Sequence, residues 1–323
     1  MSVARSRDPQ EWAAHSPYSD PGPYAAVLQG LGTAPADVHA AATGLIAHYR
    51  AETATLDPAR LPTIDLRWLD RILAAGLEAS SAPLPGRPHA DRVAGCCRDH
   101  TLLGVGLLRE HGVPARSRIG FARYFFPGDG VDHVVVERWD GERWVRSDPE
   151  LDAAFGAAPP AGDPFDPFDM PTGLDSPFPT AAELWAAHRR DGLDLTRYGV
   201  AGVPELAGRD FVRGYVLLEV AHRRRDELLL WDVWGAELDG TTSDDADVLA
   251  DEIADLLLRA DAGDVAAEDE LVDRYAGDPR LRPGPRVRTL SPLGREGWTD
   301  LASRTTVWDV SRRQPPSAAA SRR

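Results

Sequence analysis

The chain has 323 residues, which is enough to bury a sizeable core as one large domain or two small ones. Its formal net charge is −15, so neither nucleic acid nor an anionic membrane is expected as a main partner. The start of the sequence lacks the apolar region of a secretory signal, and no apolar run approaches the length of a membrane span. We therefore expect a cytoplasmic protein.

Cysteine and histidine usage limits the covalent and metal chemistry that we predict. The only two cysteines are neighbours, Cys96 and Cys97, so they cannot form a disulfide framework or a four-cysteine zinc site. The nine histidines include no pair spaced four residues apart, as in a helical zinc motif. No metal site and no cofactor are predicted.

Proline content and hydrophobic spacing divide the chain into a central segment with helical regions on both sides. A helix beginning after Thr180, a good N-cap with Glu183 three residues later, opens the second helical region. The predicted segments are an irregular N-terminal arm (1–23), a helical N-terminal region (24–90), a central core (91–155), a loop rich in Pro, Asp and Phe (156–180), a helical C-terminal region packed on the core (181–305) and a disordered tail (306–323).

A buried helix is predicted from about Cys97 to His111, because the stretch 102–108 is apolar on nearly all sides. Gly112 suits the position after a helix, and Pro114 cannot continue it. Cys97 would then lie in the first turn, where free N–H groups and the helix dipole favour a thiolate and can hold an oxyanion. The alternative is that both cysteines are small buried apolar residues.

A β-hairpin is predicted around Asp140-Gly141, a pair typical of two-residue turns. Such a turn would place His133 directly opposite Asp148, close enough for the carboxylate to orient the imidazole. A bulge or longer turn would change this register, and a surface ion pair is the alternative role. Trp139 and Trp144 share the same side in this register, where they could line a substrate cleft or belong to the core.

Taken together in this order, these motifs resemble the transglutaminase-like core. In that family, a cysteine opens the central helix, a turn of the Gly-Ile-Pro-Ala-Arg type leads into the sheet, and a histidine and an aspartate lie on adjacent strands. The matching residues are Gly95, Cys97-Arg98-Asp99, the run Gly112-Val113-Pro114-Ala115-Arg116, the run His133-Val134-Val135-Val136-Glu137, Trp144 and Asp148-Pro149.

The resemblance implies an α+β fold of the papain-like or transglutaminase-like kind, with a central helix packed on an antiparallel sheet and extra helices from both flanks. It also implies that Cys97 is the nucleophile, that His133 is the base and then the acid, and that Asp148 orients the imidazole. Cys96 falls on a non-catalytic position. Valines follow His133 where the family commonly has an aromatic residue. The family includes crosslinkers, amide hydrolases, proteases, ligases and inactive members.

We therefore expect cysteine-dependent acyl transfer or hydrolysis at an amide or ester carbonyl, with an inactive binding or scaffold module as the alternative. The substrate is expected to be a small molecule or a peptidyl acyl group that passes the 156–180 loop. Phe165 and Phe168, with Trp139 and Trp144, are the predicted substrate-binding residues. Packing of the loop phenylalanines onto the core is the alternative. Because the chain contains no lysine, no lysine of its own can accept an acyl group. The oligomeric state stays open.

Overall fold

The computed structural model describes residues 8–238 and 242–309. Most of the tail predicted to be disordered, and the first residues of the predicted arm, lie outside these ranges.

The helices are α1 (Ala25–Gln29), α2 (Pro35–Leu45), α3 (Leu69–Ala79), α4 (Cys97–Glu110), α5 (Ala153–Ala157), α6 (Ala181–Asp191), α7 (Arg209–Arg223), α8 (Ser243–Asp261) and α9 (Val265–Gly277). The strands are β1 (Ile46–His48), β2 (Val93–Gly95), β3 (Ala115–Ala122), β4 (Gly130–Trp139), β5 (Trp144–Ser147), β6 (Tyr198–Gly199), β7 (Asp232–Val233), β8 (Arg286–Ser291), β9 (Arg295–Asp300) and β10 (Thr305–Trp308).

The central layer is helix α4 packed against an antiparallel sheet of order β3-β4-β5, to which β6 adds a short parallel pairing with β4. Every residue of α4 from Cys97 to Arg109 is buried. The prediction of an α+β fold with a central buried helix on an antiparallel sheet is confirmed. In the ranges 8–238 and 242–309, no helix combines the length and apolar character that crossing a membrane requires.

Two glycines explain how the neighbours of α4 approach so closely. A Cβ atom at Gly104 would lie 2.9 Å from a Val38 methyl group of α2 and 3.1 Å from a Val136 methyl group of β4. At Gly106 it would lie 2.2 Å from a Leu69 methyl group of α3. The glycines that lower helix propensity in the sequence therefore let helices from the N-terminal flank and the central sheet meet on one helix.

The C-terminal flank forms a helical layer. Helix α7 packs on β3, and α8 packs against α6, α7 and α9. Buried arginines join this layer to the sheet: Arg118 of β3 contacts Glu219 of α7 at 2.9 Å and also pairs with Asp261 of α8. Helices α6 to α9 therefore cover the side of the core beside β3.

The end of the described chain differs from the prediction, because β8, β9 and β10 form an antiparallel sheet with β7 where a helical region and then a disordered tail were expected. Strand β10 includes residues 306–308 of the predicted tail. The buried face of this sheet contains Thr289 and Thr299, whose hydroxyl groups hydrogen-bond at 2.9 Å. Since polar residues occupy inward positions, the apolar alternation that marks a strand is weak in the sequence.

The hairpin is present, but the predicted register is wrong by two residues. Trp139 pairs with Trp144, so the loop has four residues, 140–143, instead of two. The Asp140 side chain closes this loop by accepting the backbone N–H groups of Glu142 at 2.9 Å and Arg143 at 2.8 Å. An Asx-type turn therefore replaces the predicted two-residue turn.

Candidate active site

The start of α4 is fixed by the residues around Cys97. Strand β2 ends at Gly95, and Cys96 is the N-cap with extended backbone. The Asp99 carboxylate accepts the backbone N–H of Cys96 at 2.9 Å and pairs with Arg98 at 2.9 Å. Asp99 therefore has the structural role of a capping residue, and Cys97 is the first helical residue.

His133 and Asp148 form a buried hydrogen-bonded pair. Nε2 of His133 lies 2.8 Å from Oδ2 of Asp148, and the two residues are 2% and 1% exposed. The same carboxylate oxygen accepts the phenolic O–H of Tyr124 at 2.6 Å, and Oδ1 accepts the backbone N–H of Glu150 at 2.9 Å. The carboxylate is thus held from three directions, which fixes the orientation of the imidazole.

Cys97 meets His133 at the centre of the site. One atom each from the Cys97 thiol, the His133 ring and the Glu150 carboxylate lie within 4.8 Å of one another. Since Nε2 of His133 is engaged by Asp148, Nδ1 is the nitrogen left to act on the thiol. The structure therefore brings together the three residues that the sequence predicts as nucleophile, base and orienting carboxylate, and it adds Glu150.

Electrostatics tie the protonation of His133 to Asp148. Burial by itself would lower the pKa of His133, but the charge and hydrogen bond of Asp148 outweigh it and raise that pKa above its ordinary value. Burial would likewise raise the pKa of Asp148, yet His133 and the Tyr124 hydroxyl lower it. Asp148 therefore makes the imidazole a stronger base and stabilises the imidazolium that forms when the ring takes up a proton.

The expected lowering of the Cys97 pKa is not found. Burial raises the pKa of this thiol well above its ordinary value, and a hydrogen bond to Cys96 and the nearby Glu150 and Asp132 carboxylates raise it further. The side chain is only 3% exposed. In this state, desolvation outweighs the helix N-terminus, so Cys97 is a neutral thiol before substrate arrives.

Aromatic side chains surround the imidazole. The rings of Phe125, Tyr124 and Phe178 lie 5.3, 6.1 and 6.3 Å from the His133 ring, each close to edge-on. Phe178 is fully buried beneath Arg146, whose guanidinium lies 5.4 Å from its ring. This packing excludes water from the His133–Asp148 pair and limits the rotation of the imidazole.

Trp139 and Trp144 lie at the far end of the hairpin from this site. Trp139 lies six positions along the strand from His133, a span of about 20 Å. The two indoles are 5.7 Å apart and line a cavity of about 860 Å³, whose lining contains none of the triad residues. Arg116 lies 4.1 Å over the Trp144 ring. Their predicted contact with substrate has no counterpart in this arrangement.

The 156–180 loop is docked along the end of the sheet that holds His133 and Asp148. The backbone N–H of Asp148 donates to Pro167 O at 2.9 Å, and that of Met170 donates to Arg146 O at 2.9 Å. Phe165 packs 5.0 Å from the Tyr124 ring, and Phe168 lies 6.5 Å from the His39 ring; both are half-buried. The loop therefore lies beside His133 and Asp148.

Sequence reasoning missed two residues that touch the triad. Tyr124 has no motif of its own, and its contact with Asp148 depends on how β3 leads into the following loop. Glu150 offered a weak signal, because it is an acidic residue two positions after Asp148. His100 is adjacent as well, with Nδ1 3.4 Å from a Glu150 oxygen.

Comparison with known proteins identifies the central segment. The family model of the transglutaminase-like superfamily matches residues 78–149, which include α4, β3, β4, β5 and all three triad residues. No curated protein matches the chain. A solved structure described as "a Putative Cysteine Protease from Cytophaga hutchinsonii" is 18% identical, with a TM-score of 0.22; the match covers 45% of this chain and 42% of that one. The chain thus spans less than half of that protein. Residues 78–149 match the transglutaminase-like superfamily, and the resemblance predicted from the sequence motifs is confirmed for this segment.

Proposed function

We propose that this protein catalyses acyl transfer from an amide or ester carbonyl through a thioester on Cys97. One observation carries the proposal: the Cys97 thiol and a His133 ring nitrogen lie within 4.8 Å, and Asp148 engages the other side of that ring at 2.8 Å. A nucleophile, a base and an orienting third group in this order are the requirements of an activated thiol. The family match over residues 78–149 supports a cysteine-dependent activity of this kind.

In the proposed reaction, Nδ1 of His133 takes the thiol proton as the Cys97 sulfur forms a bond to the acyl carbon. At the start of α4 the N–H groups of Asp99 and His100 already donate to Cys96 O at 2.9 and 3.2 Å, so the N–H of Cys97 itself is the group that we propose for the oxyanion. The imidazolium, held by Asp148, then gives its proton to the leaving amine or alcohol as the carbonyl re-forms. Water or an amine attacks the thioester in the second half, which releases the acyl product and restores the thiol.

A trapped adduct tests this proposal. The intact protein is incubated with a panel of activated esters and amides and analysed by mass spectrometry with site localisation. We expect an acyl adduct on Cys97 that is absent from Cys97→Ala and kept in Cys96→Ser, which changes the neighbouring thiol but preserves an N-cap. Equal labelling of Cys97→Ala, or no adduct with any donor, would contradict the proposal.

The second candidate function is a binding module that retains the triad without turning over. The burial of Cys97, at 3% exposure, and the raised pKa of its thiol favour this alternative. The same experiment separates the two functions, because a binding module whose enclosed thiol does not react forms no adduct on Cys97 even with small activated donors.

For the substrate, we propose a small-molecule or peptidyl acyl group that enters beside the 156–180 loop. The support is the position of this loop, which hydrogen-bonds to the backbone of Asp148 through Pro167 and places Phe165 against Tyr124. An acyl chain could lie along these rings, whereas the enclosed thiol disfavours a bulky protein surface. Competition between short acyl esters and acylated proteins for formation of the Cys97 adduct distinguishes these classes.

A further inference from the structure

Glu150 brings to the site a carboxylate that the proposed mechanism does not use. Its side chain is 13% exposed, and its Oε1 atom is shielded from solvent without a hydrogen-bond partner among the described residues. Nδ1 of His100 lies 3.4 Å away but also lies 3.0 Å from the Cys96 carbonyl oxygen. A shielded carboxylate oxygen without a donor costs free energy, so this atom is placed for a partner that binds there.

We propose that Cys97, His133 and Glu150 together bind one divalent transition-metal ion of the zinc class, and that the bound ion blocks the nucleophile. The three ligand atoms already lie within 4.8 Å of one another. Tetrahedral zinc with sulfur, nitrogen and oxygen ligands requires separations of about 3.4–3.6 Å between them. Metal binding therefore requires the Cys97 and Glu150 side chains to move closer to the His133 ring.

The donor set identifies the class of ion. A thiolate and an imidazole nitrogen select borderline ions such as Zn²⁺ or Co²⁺, whereas Ca²⁺ and Mg²⁺ require oxygen ligands. The three ligands belong to three different parts of the fold: the first residue of α4, the middle of β4 and the turn after β5. Sequence spacing therefore gives no sign of this site, although the tertiary structure assembles it.

The surroundings of two ligands support metal binding. Asp148 accepts Nε2–H of His133, which leaves the lone pair of Nδ1 directed to the site; this is the usual arrangement of a metal-bound histidine. The Glu150 backbone N–H donates to the other oxygen of Asp148 at 2.9 Å. The Asp148 carboxylate therefore positions both His133 and Glu150. The ring of His100 stands beside the Glu150 carboxylate.

Charge also favours a cation at this position. The Glu150 carboxylate lies within 4.8 Å of the Cys97 sulfur, so repulsion of like charges disfavours a lone thiolate there. A divalent ion reverses that effect: the metal–sulfur bond forms as the thiol proton leaves to solvent, with no change in oxidation state. The bound sulfur is then unable to attack a carbonyl. Metal binding does not require turnover of a substrate, so this inference can be tested independently of the proposed function.

Cobalt absorbance provides the direct test. The full chain, freed of metal by a chelator, is titrated with Co²⁺ alone, and the thiolate-to-cobalt charge-transfer band is recorded before and after addition of Zn²⁺. We expect one equivalent to bind and Zn²⁺ to remove the band. Cys97→Ala should lose it, Cys96→Ser should keep it, and Glu150→Gln should weaken binding at least about tenfold. Glu142→Gln, the same change at the exposed hairpin loop, is the matched control.

Two further measurements make each outcome decisive. Glu150→His replaces the lost ligand and should restore tight binding, which separates coordination from a folding defect in Glu150→Gln. Zn²⁺ should also protect Cys97 from iodoacetamide, and a chelator should reverse the protection. A charge-transfer band in Cys97→Ala, or the same affinity in Glu150→Gln as in Glu142→Gln, overturns the proposal. If Cys97 takes acyl donors but no metal, only this inference fails.

Discussion

His133 and Asp148 are hydrogen-bonded at 2.8 Å, although they do not face each other in the β-ladder. The ladder between β4 and β5 ends at the pair Val136 and Ser147, and its register continued further would place Glu150 opposite His133. The chain leaves the strand at Asp148, whose backbone N–H is taken by Pro167 O at 2.9 Å. This departure turns the Asp148 carboxylate towards His133 and leaves Glu150 beside it.

Asp148→Asn should slow acylation of Cys97 by up to about 10⁴-fold without abolishing the adduct. The amide no longer stabilises the imidazolium and can hold the ring in the wrong tautomer, but the nucleophile remains. The measurement is the rate of adduct formation with an activated ester, compared with Cys97→Ala, which should form none. An unchanged rate in Asp148→Asn would show that the carboxylate does not serve the reaction.

Tyr124→Phe should slow acylation about tenfold, because Oδ2 of Asp148 loses its 2.6 Å hydrogen bond from the phenol. Tyr275→Phe is a matched control, since its hydroxyl donates to Asp226 at 2.6 Å and does not touch Asp148. Adduct formation rates and thermal unfolding of both variants should be compared. Equal slowing in the two variants would mean that the effect is general loss of stability.

Glu137→Gln should destabilise the protein by about 3–5 kcal/mol at neutral pH, because buried arginines surround this carboxylate. Burial would raise the pKa of Glu137, but Arg118, Arg116 and Arg146 lower it from 4.5 to about 2. A pKa lowered by folding gives stability that is complete above about pH 4.5 and is lost as the pH falls towards 2. Urea unfolding should therefore show a smaller difference between wild type and variant at about pH 3 than at about pH 7. A difference independent of pH would contradict this assignment.

Phe178→Ala should cost about 3–5 kcal/mol of stability, because the ring is 0% exposed beneath Arg146 and beside His133. Phe165→Ala combined with Phe168→Ala should cost less, since both rings are only half-buried, yet it should impair turnover of an acyl substrate. Thermal unfolding and steady-state kinetics of the two variants separate packing from substrate contact. Unchanged kinetics in the double variant would reject the loop as part of the substrate site.

Gly106→Ala should destabilise the protein by about 1–3 kcal/mol, because the added methyl group would lie 2.2 Å from a Leu69 methyl group and 3.0 Å from Ser19 O. Gly277→Ala is the control: a Cβ atom there meets no atom within 4 Å, so its stability should be unchanged or slightly higher. Equal midpoints of urea unfolding for the two variants would show that α3 does not need this close approach.

The sequence by itself determined the elements whose signals are local. The apolar run after Cys97 and the Gly112 stop predicted α4, and capping residues such as Thr180 predicted the flanking helices, because each signal lies within one element. The order of Cys97, His133 and Asp148 along motifs of the transglutaminase-like family predicted the triad. The three residues do lie together, but the turn geometry behind the register argument was wrong, so only the motifs pointed correctly to their proximity.

Only the tertiary structure decided what lies around the triad and how it is charged. Tyr124, Glu150 and the docked loop reach the site through contacts between segments far apart in the chain, which no local pattern encodes. Burial was equally invisible in the sequence: desolvation beneath the packed layers raises the pKa of the Cys97 thiol, although its place at a helix start favours the opposite shift. The place of Cys97 at a helix start follows from its neighbours in the sequence. Desolvation of its sulfur depends on every element that packs over it, and here desolvation has the larger effect on the pKa.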